Sequence, residues 1–248
     1  MPNPLRLAIT GANGRMGRAL QSLLQDDARF ELAARIPSSQ DWKSAPSLDV
    51  VIDFSTLAGF DAALAHCRAH KIAFVCGTTG LDADQRASLQ EASQDIPVLY
   101  AANFSLGIAV LAKLLREAAG ALPDWDLEII EAHHSRKVDA PSGTALALGR
   151  VAAAARGADF DLVAVFGRHG HTGERPEHAI GFSSIRAGEI VGEHTALLAT
   201  KDERIELTHR ACDNTIFARG ALQAAAWLAG MPPGIYTIDD VIGAAHQL

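Results

Sequence analysis

No run of apolar residues in the chain approaches the ~18 needed to span a membrane, so no membrane-spanning helix is expected. Cysteine is scarce: Cys67, Cys76 and Cys212 are an odd number without a CxxC pair. That excludes a disulfide framework and predicts core thiols in a reducing compartment. Positive charge is in deficit, with 22 Lys and Arg against 29 Asp and Glu and a formal net charge of −7, which argues against a nucleic-acid partner. There is no internal repeat and no low-complexity segment beyond an alanine-rich helix. With 48% hydrophobic and 21% charged residues, the balance excludes global disorder. The chain passes from Met1 and Pro2 straight into a strand-like segment, so no signal peptide is expected and the predicted location is cytoplasmic. A length of 248 residues predicts one to two domains at roughly 150 residues each.

What is present begins with strand and helix in alternation. Leu5 to Thr10 is an apolar run closed by Gly11-Ala12-Asn13-Gly14-Arg15-Met16-Gly17, and Ala19, Leu20, Leu23 and Leu24 then recur at helical spacing. Further strands are predicted over Phe30 to Ile36, Asp49 to Phe54, Ile72 to Cys76 and Pro97 to Ala101, with Pro37 to Leu48 as connection. Helices are predicted over Phe60 to His70, Asp82 to Gln94 and Leu106 to Gly120. Repeated βα units imply an α/β, Rossmann-like, doubly wound parallel sheet. After about Asp124 the rhythm changes to strands over Leu127 to Ala132, Leu162 to Gly167, Ala179 to Arg186, Glu189 to Ala199 and Arg204 to Arg210. One clear helix, Gly143 to Arg156, stands among them with Gly157 as its stop. This predicts a second, mixed-sheet α+β domain. The helical tail from Phe217 to Leu228 needs a sheet to cover and is expected to return to the first domain.

The glycine turn has the form G-x-x-G-x-x-G rather than G-x-G-x-x-G. Alone it is weak, but its context of strand before and helix after offers backbone N–H groups to a pyrophosphate. A tight βα turn that binds nothing needs glycine as well. No acidic residue follows the second strand to hold the adenosine ribose. The nearest charge, Arg35, reads equally as a 2′-phosphate contact or a solvated strand end. Gly77-Thr78-Thr79-Gly80 and Ala101-Ala102-Asn103-Phe104 each follow a parallel strand, so both belong to the edge where ligands bind. The densest cluster is Glu131-Ala-His-His-Ser-Arg-Lys-Val-Asp-Ala-Pro-Ser-Gly-Thr144. It places His133, His134, Arg136 and Lys137 ahead of a helix that Ser142 can cap, where the N–H groups of Gly143 and Thr144 suit a carboxylate. It supplies a proton donor and fixed positive charge together. This local reversal of charge, joined by Arg168 and Arg175 if their loop closes, would let an acidic protein hold a small dianion. His169 and His171 lack a third ligand at recognisable spacing, so no metal is expected. A nucleotide-sensing module would keep the glycine turn without needing the histidine cluster.

These motifs, with Gly170-His-Thr-Gly-Glu-Arg175 and Val191-Gly-Glu-His-Thr195, occur in the order of a known family and span nearly the whole chain. The sequence resembles the 4-hydroxy-tetrahydrodipicolinate reductase family, also called dihydrodipicolinate reductase. The resemblance implies a dinucleotide-binding domain over 1–104 and 215–248, and a substrate-binding and tetramerisation domain over 105–214. It implies reduction of a cyclic dicarboxylate by NADH or NADPH in lysine and diaminopimelate biosynthesis, by a homotetramer. Carried over by position, His133 and Lys137 take acid/base roles, and His134, Gly143 and Thr144 bind substrate carboxylate. Gly11, Ala12, Asn13, Gly14, Arg15, Met16, Gly77, Thr78, Thr79, Ala101, Ala102, Asn103 and Phe104 hold the cofactor. The sequence departs from the family in three places: Pro37 stands where many members carry the ribose-binding acid, the 37–48 loop is shorter, and Asn214 stands where some carry an arginine near the substrate.

Overall fold

The computed structural model describes residues 3–37, 42 and 46–244. It divides into two compact units, Met1–Leu106 with Thr215–Leu248, and Gly107–Asn214. Most of the connection expected over 37–48 lies outside the described residues.

In the first unit, β1 (Leu5–Thr10), β2 (Phe30–Ile36), β3 (Val50–Asp53), β4 (Ala73–Cys76) and β5 (Pro97–Tyr100) join the last strand of the chain, β11 (Gly234–Tyr236). The order is β11-β5-β4-β3-β1-β2, with every neighbouring pair parallel. The central strands read as unbroken apolar runs because both faces are buried. Leu7, Ile9, Val50, Ile52 and Val75 point into one core, and Ala8, Val51, Phe74 and Cys76 into the other. The second core is closed by α2 (Leu57–His70) and α3 (Ala83–Ala92), which contribute Phe60, Leu64, Cys67 and Leu89. The first is closed by α1 (Arg15–Leu23) and α7 (Thr215–Leu228), so the helix read from Phe217 to Leu228 packs on this sheet. Its buried stripe is mostly alanine, and at Gly220 a Cβ would fall 1.8 Å from the Phe104 carbonyl oxygen, so only glycine lets the helix lie this close. Helices on both faces of a parallel sheet are the doubly wound arrangement expected.

In the second unit, β6 (Asp126–His133), β7 (Ala164–Phe166), β8 (Ile180–Arg186), β9 (Gly192–Ala199) and β10 (Arg204–Ala211) form a mixed sheet of order β10-β9-β6-β8-β7. β6 pairs parallel with β8 and antiparallel with β9. One face packs Leu127, Ile129, Phe182 and Leu198 against α4 (Leu106–Ala121) and α5 (Gly143–Ala155). On the other face Ile185 is 49% exposed.

Several boundaries differ from the sequence reading. Leu162 and Val163 lie in a helical turn, α6 (Phe160–Val163), because the Asp159 carboxylate accepts the Asp161 N–H at 3.0 Å and caps it. β9 starts at Gly192 rather than Glu189, since Ala187 to Ile190 is spent on a turn with Gly188 at φ +48°. β11 goes unread in the sequence because three residues after Pro232-Pro233 carry no periodicity. Cys67 and Cys76 are core thiols, but Cys212 is exposed, in the turn that follows β10.

Candidate active site

β1 lies between β2 and β3, so the chain leaves β1 to one side and later returns to the other. That reversal is a topological switch point, where the turns after β1 and β3 part and leave a crevice at the carboxyl edge of the sheet. Gly11 holds the first turn at φ +68°, a conformation natural to glycine, and its carbonyl accepts the Gly14 N–H at 2.9 Å. α1 then begins with Gly14 as its cap, and no side chain satisfies the N–H groups of its first turn.

Gly14, Arg15 and Met16 from this turn meet Gly77, Thr78 and Thr79 after β4 around a cavity of about 210 Å³. Phe54 and Ser55, after β3, complete it and were not singled out in the sequence. Phe54 fills the space a Cβ at Gly77 would need, and its ring meets that of Phe104 edge-on with centroids 5.4 Å apart. Ala101 donates its N–H to the Cys76 carbonyl at 3.1 Å, which brings the Ala101 to Phe104 loop to the same edge. Within that loop Ala101 and Phe104 are buried, Ala102 is exposed, and the Asn103 side chain accepts the Ser105 N–H. Ala12 is buried too, and its carbonyl and that of Asn13 accept from Gln21 and Arg18. Beneath the cavity the fully buried Asp53 carboxylate accepts from the hydroxyls of Thr10, Ser55 and Thr78 and ties the ends of β1, β3 and β4 together. Burial, with Asp53 adding to it, pushes the neighbouring Cys76 thiol far up. Arg35 is exposed, yet its Nε donates to Gln21 at 2.7 Å, and the Gln21 amide donates to the Ala12 and Gly17 carbonyls. Arg35, Gln21 and Arg18 line a second, open cavity of about 380 Å³.

In the second unit, β6 delivers Glu131 and His133 to one face and the following turn carries His134 to Lys137. Glu131 is buried and His133 nearly so, and His133 Nδ1 lies 2.6 Å from Glu131 Oε2. A carboxylate only accepts, so Nδ1 carries the hydrogen and Nε2 is the nitrogen left for chemistry. Arg186, brought opposite His133 by the β6–β8 register, clamps both Glu131 oxygens at 2.8 and 2.7 Å. Burial alone would raise the Glu131 carboxyl, but hydrogen bonds from Arg186, Ser184 and His133 outweigh it and hold the group down to about 2. Ser142 caps α5 by accepting the Ala145 N–H at 3.1 Å, and its hydroxyl also meets His194 Nε2 at 3.1 Å. Burial pushes His194 down to about 4, with the adjacent His133 contributing, so it is neutral at pH 7. At Gly143 a Cβ would meet no atom of the chain, so packing does not demand glycine there. Close approach of a ligand to the helix N-terminus does benefit from it. The Nδ1 of His134 is buried without a protein partner.

Arg186, His194 and the role of Glu131 were not legible in the sequence, because strand register and not spacing brings them together. The expected reversal of charge is also smaller than the sequence suggests. Arg136 pairs with Glu189 at 2.6 Å and Lys137 with Asp139 at 2.8 Å. Arg168 and Arg175 do not join the cluster. Both bind Glu128, and Arg175 also binds Asp126, at the start of β6. At ~3.3 Å per strand residue, that is roughly 16 to 23 Å from His133. Among the described residues no group of three or more His, Cys, Asp or Glu side chains is placed to hold a metal ion.

Two family models match the chain, one described as dihydrodipicolinate reductase, N-terminus, over 5–104, and one as dihydrodipicolinate reductase, C-terminus, over 107–242. Among curated proteins, the 4-hydroxy-tetrahydrodipicolinate reductase of Pseudomonas fluorescens (strain Pf0-1) is 45% identical, covering 96% of this chain and 98% of its own. That of Nitrosomonas eutropha is 44% identical with the same coverage. Among solved structures, a dipicolinate-bound dihydrodipicolinate reductase from Paenisporosarcina sp. TG-14 shares the fold with a TM-score of 0.73 at 22% identity, covering 94% of this chain and 97% of that one. A diaminopimelate dehydrogenase from C. glutamicum shares it with a TM-score of 0.55 at 15% identity, over 97% and 94%. With both of its halves matched and relatives this similar along nearly its whole length, the chain belongs to the dihydrodipicolinate reductase family, pyridine-nucleotide oxidoreductases of lysine and diaminopimelate biosynthesis.

Proposed function

We propose that the enzyme reduces 4-hydroxy-tetrahydrodipicolinate to tetrahydrodipicolinate with NADH or NADPH, consuming one proton and releasing the 4-hydroxyl as water. The observation that carries this reading is the placement of His133, with Nε2 available, in one hydrogen-bonded cluster with the N-terminus of α5. The crevice of the first unit fits a dinucleotide, since its uncapped helix start and glycine turn suit a pyrophosphate and the cavity beside them is lined by Ser55, Thr78 and Thr79. A nicotinamide bound there would supply the hydride that reduces the conjugated imine left when the 4-hydroxyl departs. His133 and Lys137 stabilise and protonate the nitrogen on which negative charge develops, while Gly143, Thr144 and His134 hold a substrate carboxylate. The test is oxidation of NADPH or NADH followed at 340 nm with the unstable cyclic substrate generated in situ. No substrate-dependent oxidation would overturn the reading.

Either nucleotide fits a β2 end without the ribose-binding acid. Because Arg35 is tethered through Gln21 to the glycine turn, Arg35→Ala is expected to raise KM for NADPH several-fold and leave KM for NADH unchanged. Equal effects on both would remove Arg35 as a 2′-phosphate contact. The outer face of this sheet, with Ile185 exposed on it, supports a homotetramer built on this unit, because an exposed isoleucine there has apolar surface to bury. Ile185→Glu is then expected to lower the mass seen by light scattering below four chains. An unchanged mass would place the interface elsewhere.

A further inference from the structure

We propose that Glu131 is a positioning residue that couples the proton-carrying and carboxylate-holding halves of the substrate site. One of its oxygens fixes the His133 ring, and the other holds the backbone N–H of Ser142, from which α5 starts. The inference rests on the acid/base role proposed for His133.

The geometry is specific. Glu131 Oε2 accepts from His133 Nδ1 at 2.6 Å, and Glu131 Oε1 accepts the Ser142 N–H at 3.2 Å. Helices often satisfy the cap N–H with a glutamate at the third helical position, but α5 has alanine there and no acid anywhere in its first turn. A carboxylate on a neighbouring strand does that work instead. Arg186 spans both oxygens and also donates to the Asp139 carbonyl at 2.6 Å, so it neutralises Glu131 and anchors the loop that carries Lys137. With its charge matched, Glu131 orders the start of α5 without opposing an anionic ligand at the helix dipole. On the other side of His133, a Cβ at residue 192 would lie 3.1 Å from Nε2, so Gly192 leaves the working nitrogen accessible. Charged and titratable groups near His133 include Glu131 on its own strand, Arg186 from β8, His194 from β9 with His209 of β10 paired beyond it, and His134, Lys137 and Asp139 from the loop.

The test uses the full-length enzyme with Glu131→Gln, which keeps size and removes charge. kcat is expected to fall about 100-fold with NADPH affinity unchanged. The alkaline limb of the pH–rate profile should move to lower pH, because an imidazolium loses its adjacent anion. Inhibition by dipicolinate, a planar dicarboxylate probe, should weaken about tenfold as the α5 N-terminus loosens. Ser142→Ala removes the hydroxyl cap and its contact with His194 but keeps the backbone N–H that Glu131 holds, and is expected to weaken dipicolinate while leaving the limb in place. If E131Q does not fold, Glu131→Asp, which retains the charge, should lower kcat with the limb where it is in the wild type. A rate loss without movement of the limb and without a change in dipicolinate inhibition would reduce Glu131 to a structural role and overturn the proposal. So would an equal movement of the limb in S142A. A wild type without reductase activity would sink the proposed function itself, whereas an active wild type with an indifferent E131Q sinks only the role of Glu131.

Discussion

Lys137→Ala is expected to lower kcat by two to four orders of magnitude while the affinity for NADPH changes by less than about twofold, in line with the ~10²–10⁴ contributed by a positioned acid or base. The side chain is 21% exposed and its ammonium lies 2.8 Å from Asp139, whose carboxyl is held below its ordinary value by the hydrogen bond from that ammonium. The substitution removes the amine but not the turn that presents it, because the turn is closed by the Lys137 backbone N–H donating to the His134 carbonyl at 3.1 Å. The loss should therefore be chemical and not conformational. Nucleotide affinity is spared because the crevice that suits the dinucleotide is built from the turns after β1, β3, β4 and β5. Steady-state rates at 340 nm and a fluorescence titration with NADPH measure the two quantities. Turnover within tenfold of wild type would remove Lys137 from the acid/base machinery. Lys137→Arg keeps a cation near Asp139 but replaces a compact ammonium by a guanidinium that does not release its proton, so it should restore little.

What the sequence shows well is whatever is encoded over a few adjacent residues. The buried strands β1, β3 and β4 announce themselves because two covered faces leave no polar position in Leu7 to Ile9, Val50 to Ile52 or Phe74 to Val75. The start of α5 is equally plain, since Ser142 is both the predicted and the observed cap and Gly157, at φ +66°, marks its end. What it conceals is set by register and by distant partners. Glu131 and Arg186 are 55 positions apart and meet only because β6 and β8 pair in parallel with His133 opposite Arg186. Ser55 and Phe54 stand at the crevice because β3 lies beside β1, a fact of topology that no local pattern carries. Charge along the chain misleads for the same reason. Residues clustered along the chain suggest a positive patch, whereas Glu189 and Asp139 take up two of those cations, and Asp126 and Glu128 hold Arg168 and Arg175 at the opposite end of β6.

Arg186→Ala is expected to cost about 3 kcal/mol of stability at pH 7. The side chain of Glu131 is 1% exposed, so removing its cation leaves a desolvated carboxylate held by His133, Ser142 and Ser184. The magnitude follows from linkage. Glu131 sits at about 2 in the fold against an ordinary 4.5, and the hydrogen bond from Arg186 is the largest of the effects that lower it; at ~1.4 kcal/mol per pKa unit that difference is worth about 3 kcal/mol. The carboxyl is depressed by folding, so its contribution is fully present above about pH 4.5 and is lost as pH falls through about 2. The stability gap between wild type and Arg186→Ala should accordingly be flat from pH 5 to 8 and shrink to about half by pH 3. Urea unfolding at pH 7 and pH 3 reads both values, and equal gaps would show that the loss comes from packing of the arginine stem and not from the ion pair. Arg136→Ala is the control, since its pair with Glu189 is solvent-exposed and its removal should leave unfolding unchanged at either pH. If that variant loses as much as Arg186→Ala, burial is not what gives the Glu131–Arg186 pair its effect.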